Sequence, residues 1–142
     1  MRIYFAGPLF TTAEREWNSK LASILTTKGL NIYLPQDHEP KVLTPSNMFN
    51  ICTQAIDESD VVIAIMDGPD PDSGTCFECG YAFAKNKKIF TIRTDFRKAG
   101  DLGTDFNLML TESSTVIHMS SLMPTTEEVA TALLNHLLDH NA

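Results

Sequence analysis

Asp67, Asp70, Asp72 and Glu78 fall within one segment, Asp67-Gly-Pro-Asp-Pro-Asp-Ser-Gly-Thr-Cys-Phe-Glu-Cys-Gly80, together with three glycines and two prolines. An ionised carboxylate can attack carbon or stabilise positive charge. An ordinary glutamate, with a pKa of about 4.3, is ionised at neutral pH. The sequence places Glu78 in the first turn of a helix, about four residues past a cap at Ser73 or Asp72. The helix dipole favours its charged form there, so no special tuning is expected. Asp72, acceptor-only when ionised, suits a ligand hydroxyl and repels a phosphate. Gly74 lets a ligand approach the backbone, and the free N–H groups of that turn, from Ser73 onward, can bind oxygen atoms. The competing reading is structural: Asp72 and Ser73 as N-caps, Glu78 as a dipole-compensating surface residue. The crowding of carboxylates where a strand hands over to a helix favours a site.

Other candidates are weaker. Tyr4 lies in the first strand, two residues before its end at Ala6, as core or crevice wall. From there its hydroxyl can reach a carboxylate at the same sheet edge. Cys76 and Cys79 form a Cys-x-x-Cys, but a structural zinc needs four ligands. Cys52 and the four histidines supply no second pair at ligand spacing. The thiols are therefore expected to pack near the helix start, and no metal is expected. His38 lies in a loop that can border the crevice. His136 and His140 fall on the last helix and are expected to be solvated. The chain lacks both Gly-x-x-x-x-Gly-Lys-Ser/Thr and Gly-x-Gly-x-x-Gly after its first strand. Binding of ATP or NAD by the usual devices is unsupported, and no cofactor is expected.

The elements that must position these residues alternate along the chain. Strands are expected at 2–6, 30–34, 61–66, 88–92 and 114–118. Helices are expected at 11–28, 46–59, 75–85, 107–110 and 124–139. Thr11 with Glu14 fits a capping box, and Gly29 is a C′ stop. Val61 to Met66 is a continuous apolar run suited to the centre of a parallel sheet. Residues 93–106 form a loop too long to be a mere connection. Strict alternation of strand and helix gives an α/β fold with a doubly wound, five-stranded parallel sheet, helices on both faces. Right-handed crossovers favour the order 2-1-3-4-5.

The 142 residues are expected to form one domain, 1–142. A net charge of −7 argues against a nucleic-acid partner. No apolar run reaches the length of a membrane span. The first strand begins too early for a signal peptide. An odd number of cysteines, three, argues against a disulfide framework and for a cytoplasmic location.

Several segments together resemble the nucleoside 2-deoxyribosyltransferase family: Ile3-Tyr-Phe-Ala-Gly-Pro8, Leu34-Pro-Gln-Asp37, Ser59-Asp-Val-Val-Ile-Ala64, Asp72-Ser-Gly-Thr-Cys-Phe-Glu-Cys-Gly-Tyr-Ala82 and Phe106-Asn-Leu-Met109. They come in family order, and the segment from Asp72 to Ala82 is the most specific. The resemblance implies a flavodoxin-like fold. It implies an enzyme that moves 2-deoxyribose between nucleobases through a covalent ester, with deoxynucleosides and nucleobases as its partners. By position, Glu78 matches the nucleophile and Tyr4 the tyrosine that holds it. Asp72 matches the reader of the sugar 5′-hydroxyl. Ser73, Gly74 and Gly7 fall among the substrate-binding positions. Asn107 and Met109 match residues lent by a neighbouring subunit, which implies a homo-oligomer, a dimer or a hexamer. Two positions depart from the family. An aspartate proposed as the acid toward the leaving base is replaced by Cys52, a poor acid at neutral pH, while Asn50 and Asp57 are out of register. A base-contacting amide falls on Glu39, which would prefer bases with N–H donors.

Rival readings are fewer. Hydrolases of nucleoside 5′-monophosphates in the same superfamily carry a phosphate-binding serine six residues before the glutamate, where this chain has Asp72. Plain hydrolysis of nucleosides, with water as acceptor, stays open, as does a non-catalytic nucleoside-binding module. A signalling receiver would place its phosphoacceptor at Asp67. It would also need acidic residues after the first strand, where this chain has Ala6-Gly7-Pro8.

Overall fold

In a computed structural model, which describes residues 1–139, five strands and five α-helices alternate. They are β1 (Arg2–Ala6), α1 (Thr12–Thr27), β2 (Asn31–Tyr33), α2 (Pro45–Asp57), β3 (Val61–Ile65), α3 (Ser73–Ala84), β4 (Lys88–Ile92), α4 (Leu108–Glu112), β5 (Thr115–Ile117) and α5 (Thr126–Asp139). Short 3-10 turns occupy Pro35–Asp37 and Asp101–Gly103. All strand pairs are parallel, in the order β2-β1-β3-β4-β5, as the alternation of elements predicts.

Side chains alternate across the pleat, so each strand feeds two cores. Ile3, Phe5, Ile63 and Phe90 face one side with Leu21 and Leu25 of α1 and Val129 and Leu133 of α5. Tyr4, Ala6, Val62 and Ala64 face the other with Ala55 and Ile56 of α2, and Cys79 and Ala82 of α3. That alternation turns Tyr4 toward α3, while its neighbours Ile3 and Phe5 turn away.

Element ends shift where capping chemistry overrides the apolar pattern. Helix α3 starts at Ser73, two residues before the expected start at 75, because Asp72 accepts the Thr75 N–H (2.9 Å) as N-cap. Glu78 is therefore in the second turn rather than the first, away from the free N–H groups. Asn107 caps α4, its Oδ1 taking the Met109 N–H at 2.9 Å. Helix α1 has the expected box, with Thr11 and Glu14 bonded reciprocally. A second box that the pattern did not reveal opens α5: Thr125 and Glu128 exchange bonds of 2.7 and 3.2 Å. Gly29 has φ +87, as a C′ stop requires.

Phe49 of α2 is 53% exposed and packs on the Phe77 ring across the outer surface. One expectation for α5 fails. His136 is half-buried rather than solvated, bonded through Nδ1 to the Ala132 carbonyl and edge-on to Phe90. His140 lies outside the described residues. Among the described residues, no helix is long and apolar enough to cross a membrane.

Candidate active site

The Tyr4 hydroxyl donates to Glu78 Oε1 at 2.5 Å. Tyr4 is fully buried, and Glu78 is half-buried between β1 and α2. The expectation of a carboxylate without special tuning therefore fails, and so does the competing reading of Glu78 as a surface residue. Burial pushes the Glu78 carboxyl from 4.5 up to about 7; the Tyr4 hydrogen bond opposes the rise, and the Asp72 charge adds to it. The Tyr4 phenol is held far above its ordinary range, first by burial and then by the Glu78 charge. It stays protonated and remains a donor. A desolvated carboxylate with one oxygen fixed and the other free is more reactive than a solvated one.

Cys52 of α2 stands beside this pair. Its thiol is raised by burial, with the Tyr4 hydroxyl opposing and Glu78 adding to the rise, so it is neutral at physiological pH. Asp57, five residues further along α2, is taken up at the outer surface by the Tyr81 hydroxyl (3.0 Å) and Lys85 (3.1 Å). Cys79 is buried and its thiol is pushed up to about 12. Cys76 is half-buried, and all three cysteines are unpaired thiols.

A ring stack continues from Tyr4. Its ring lies 5.7 Å from Tyr33, which in turn lies 4.3 Å from the His38 imidazole at 10° between planes. Tyr33 was missed in the sequence. The signal was its register: Tyr33 pairs with Tyr4 across the β1–β2 ladder.

Asp72 serves as a cap and has capacity left over. The Thr75 N–H and hydroxyl both bond to Oδ2, and neither uses Oδ1. A Cβ on Gly74 would come within 3.1 Å of that Oδ2, so the glycine makes room for the carboxyl. Ser73 is exposed beside it. Asp72 also borders a cavity of about 470 Å³ over the carboxyl ends of β1 and β3, walled by Phe10, Trp17 and Asn18. Gly7 follows directly on β1 at this edge.

The remaining predicted residues lie apart from Glu78. Glu39 pairs with Arg15 at 3.0 Å. Asn107 and Met109 line a groove of about 590 Å³ between α4 and the Cys76, Gly80 and Phe83 face of α3. Cys76 and Gly80 each lie two residues from Glu78, about 200° around the helix. The groove is therefore on the opposite side of α3 from the Tyr4–Glu78 pair. Asp67, the phosphoacceptor position of the receiver reading, is occupied by the backbone N–H groups of Thr94 (2.6 Å) and Asp95 (3.0 Å).

Known proteins share this fold and parts of this sequence. UU063, an uncharacterized protein of Ureaplasma parvum serovar 3, is 31% identical over 120 residues, covering 68% of this chain and 72% of that protein. A conserved protein of Enterococcus faecalis V583 superposes with a TM-score of 0.75 at 25% identity, over 96% of this chain and 98% of that one. A 2-deoxyribosyltransferase of Leishmania mexicana superposes with a TM-score of 0.69 at 28% identity, over 81% and 88%. The family model of nucleoside 2-deoxyribosyltransferases matches residues 3–111, a span that holds Tyr4, Asp72, Glu78, Asn107 and Met109. With that match and a fold to suit it, the chain belongs to the nucleoside 2-deoxyribosyltransferase family.

Proposed function

We propose that this protein transfers 2-deoxyribose between nucleobases through a glycosyl ester on Glu78. The observation that carries the reading is the desolvated Glu78 carboxyl held by the Tyr4 hydroxyl at 2.5 Å. Tyr4 fixes Oε1, and the other oxygen attacks C1′ of a deoxynucleoside. The C1′–N bond breaks, the base leaves with the electron pair, and it takes up a proton. A second base then attacks C1′, gives up its N–H proton and releases the Glu78 carboxylate. Two inversions leave the β-configuration unchanged. Ester formation removes a negative charge from a poorly solvated position, which favours the first step.

Asp72 Oδ1 accepts the sugar 5′-hydroxyl, and the same charge turns away a 5′-phosphate. Ser73, Gly74 and Gly7 line the sugar, and Glu39 takes an N–H of the base. Burial raises the Cys52 thiol further and makes it too weak an acid to protonate the leaving base, so that proton comes from solvent. The chain acts as one domain in a reducing, cytoplasmic setting, which suits three free thiols.

Asn107 and Met109 complete the site of a neighbouring subunit. Their own Glu78 is on the far side of α3, while Met109 is 71% exposed and Phe83, across the groove, 59% exposed. A homo-oligomer brings them to a second active site.

The test is to incubate the protein with deoxyinosine and free adenine or cytosine and separate the products. A new deoxynucleoside is expected. Free hypoxanthine alone would make the protein a hydrolase. Cleavage of monophosphates with no reaction on deoxynucleosides would overturn the reading of Asp72.

A further inference from the structure

Arg93, the residue after β4, is a cation 5% exposed that no step above uses. Its guanidinium is spent on backbone. Nη1 donates to the Met66 carbonyl at 2.5 Å, Nη2 to the Gly68 carbonyl at 2.8 Å, and Nε to the Arg97 carbonyl at 2.7 Å. Asp95 stands 3.7 Å from Nη2 and accepts the Gly68 N–H at 3.2 Å. Asp67 closes the other side through Thr94 N–H, Asp95 N–H and the Thr94 hydroxyl. Residues 66–68 are thus bolted to the start of the β4–α4 loop from both flanks.

What lies between this anchor and the site is short and stiff. Gly68-Pro-Asp-Pro-Asp72 carries two prolines, each with φ fixed and each restricting the residue before it. Gly68 itself has φ +101, and a Cβ there would come 3.0 Å from the Asp70 carbonyl oxygen. A displacement at Gly68 has few torsions in which to dissipate before Asp72.

We infer that Arg93 is a positioning residue for Asp72: the guanidinium sets Gly68, and the Pro69–Pro71 strut carries that position to the carboxylate that reads the 5′-hydroxyl. The inference rests on the reading of Asp72 given above. It differs from a general stabilising role in its consequence, because loss of the anchor should cost recognition of the 5′-hydroxyl more than it costs attack at C1′. Lysine cannot replace the arginine, since one ammonium cannot span two carbonyls as the planar fork does.

The experiment measures kcat and KM of wild type, Arg93→Lys, Pro71→Ala and Asp72→Ala on deoxyinosine and on its 5′-deoxy analogue, with adenine as acceptor. Wild type should favour the 5′-hydroxyl substrate, and Asp72→Ala should erase that preference. Arg93→Lys should reduce the preference roughly tenfold, the worth of one hydrogen bond to a charged group, while the 5′-deoxy analogue loses far less. Pro71→Ala, which leaves the guanidinium network intact and frees only the strut, should move the preference in the same direction. It keeps the test open if Arg93→Lys does not fold. Equal losses on both substrates, in whichever of these two variants folds, would overturn the inference while Asp72→Ala still upheld the reading of Asp72. A preference that survives Asp72→Ala would refute that reading, and the inference with it.

Discussion

At the scale of the residue, Glu78 is costly to bury, and its proposed role as nucleophile draws on that burial. If its ionised form is the nucleophile, kcat/KM should rise with pH through about 7 and then level off, as a pH–rate profile would show. The Tyr4 bond lowers the Glu78 pKa. Tyr4→Phe should therefore move that limb to higher pH and lower the plateau by roughly tenfold. An unmoved limb would mean that another group titrates. Stability should show the opposite sign. Between pH 4.5 and about 7 the unfolded chain releases a proton that the folded chain keeps, so stability falls across that window. Glu78→Gln should abolish transfer yet stabilise the fold by about 3 kcal/mol at pH 8, with the gain gone at pH 4. Urea titrations at both pH values measure this. The pairing of Tyr4 with Glu78 was legible in the sequence from the strand end and the motif. The raised pKa was not, because burial between β1 and α2 depends on packing of residues far apart in the chain.

At the scale of the element, α3 does two jobs with one turn. The Asp72 carboxylate caps the helix through Oδ2 and leaves Oδ1 unused by that cap, so the structural reading holds and the proposed contact with a sugar hydroxyl is compatible with it. Alanine at Gly74 is a better helix former, but its Cβ would press on Oδ2 from 3.1 Å. Gly74→Ala should change stability by no more than about 1 kcal/mol while raising KM for substrates bearing a 5′-hydroxyl. A thermal melt with steady-state kinetics separates the two effects, and an unchanged KM would remove Gly74 from the site. Apolar periodicity located α3 to within two residues, and the error mattered: it placed Glu78 in the first turn, where the dipole would have kept it charged. The short strands β2 and β5 were found one residue too long at each end, since propensity does not show where pairing stops. Tyr33 and the Arg93 anchor escaped notice because each gains its meaning from a neighbour in space.

At the scale of the whole molecule, strand order followed from alternation and handedness, and the order places the ends of β1 and β3 side by side under the Asp72 turn. The assembly is the part that one chain cannot express. If Asn107 completes a neighbour's site, mixing inactive Glu78→Ala subunits with Asn107→Ala subunits should restore activity, since some mixed sites then carry both intact residues. No recovery after verified subunit exchange would place Asn107 in its own chain's site or in none. The central claim concerns one covalent bond. Brief incubation with a deoxynucleoside in the absence of acceptor base, followed by acid quench and peptide mass mapping, tests it directly. The account predicts a 2-deoxyribosyl adduct on the peptide containing Glu78, absent in Glu78→Ala and lost on adding a free base. Turnover without an adduct, or an adduct on another residue, would contradict it.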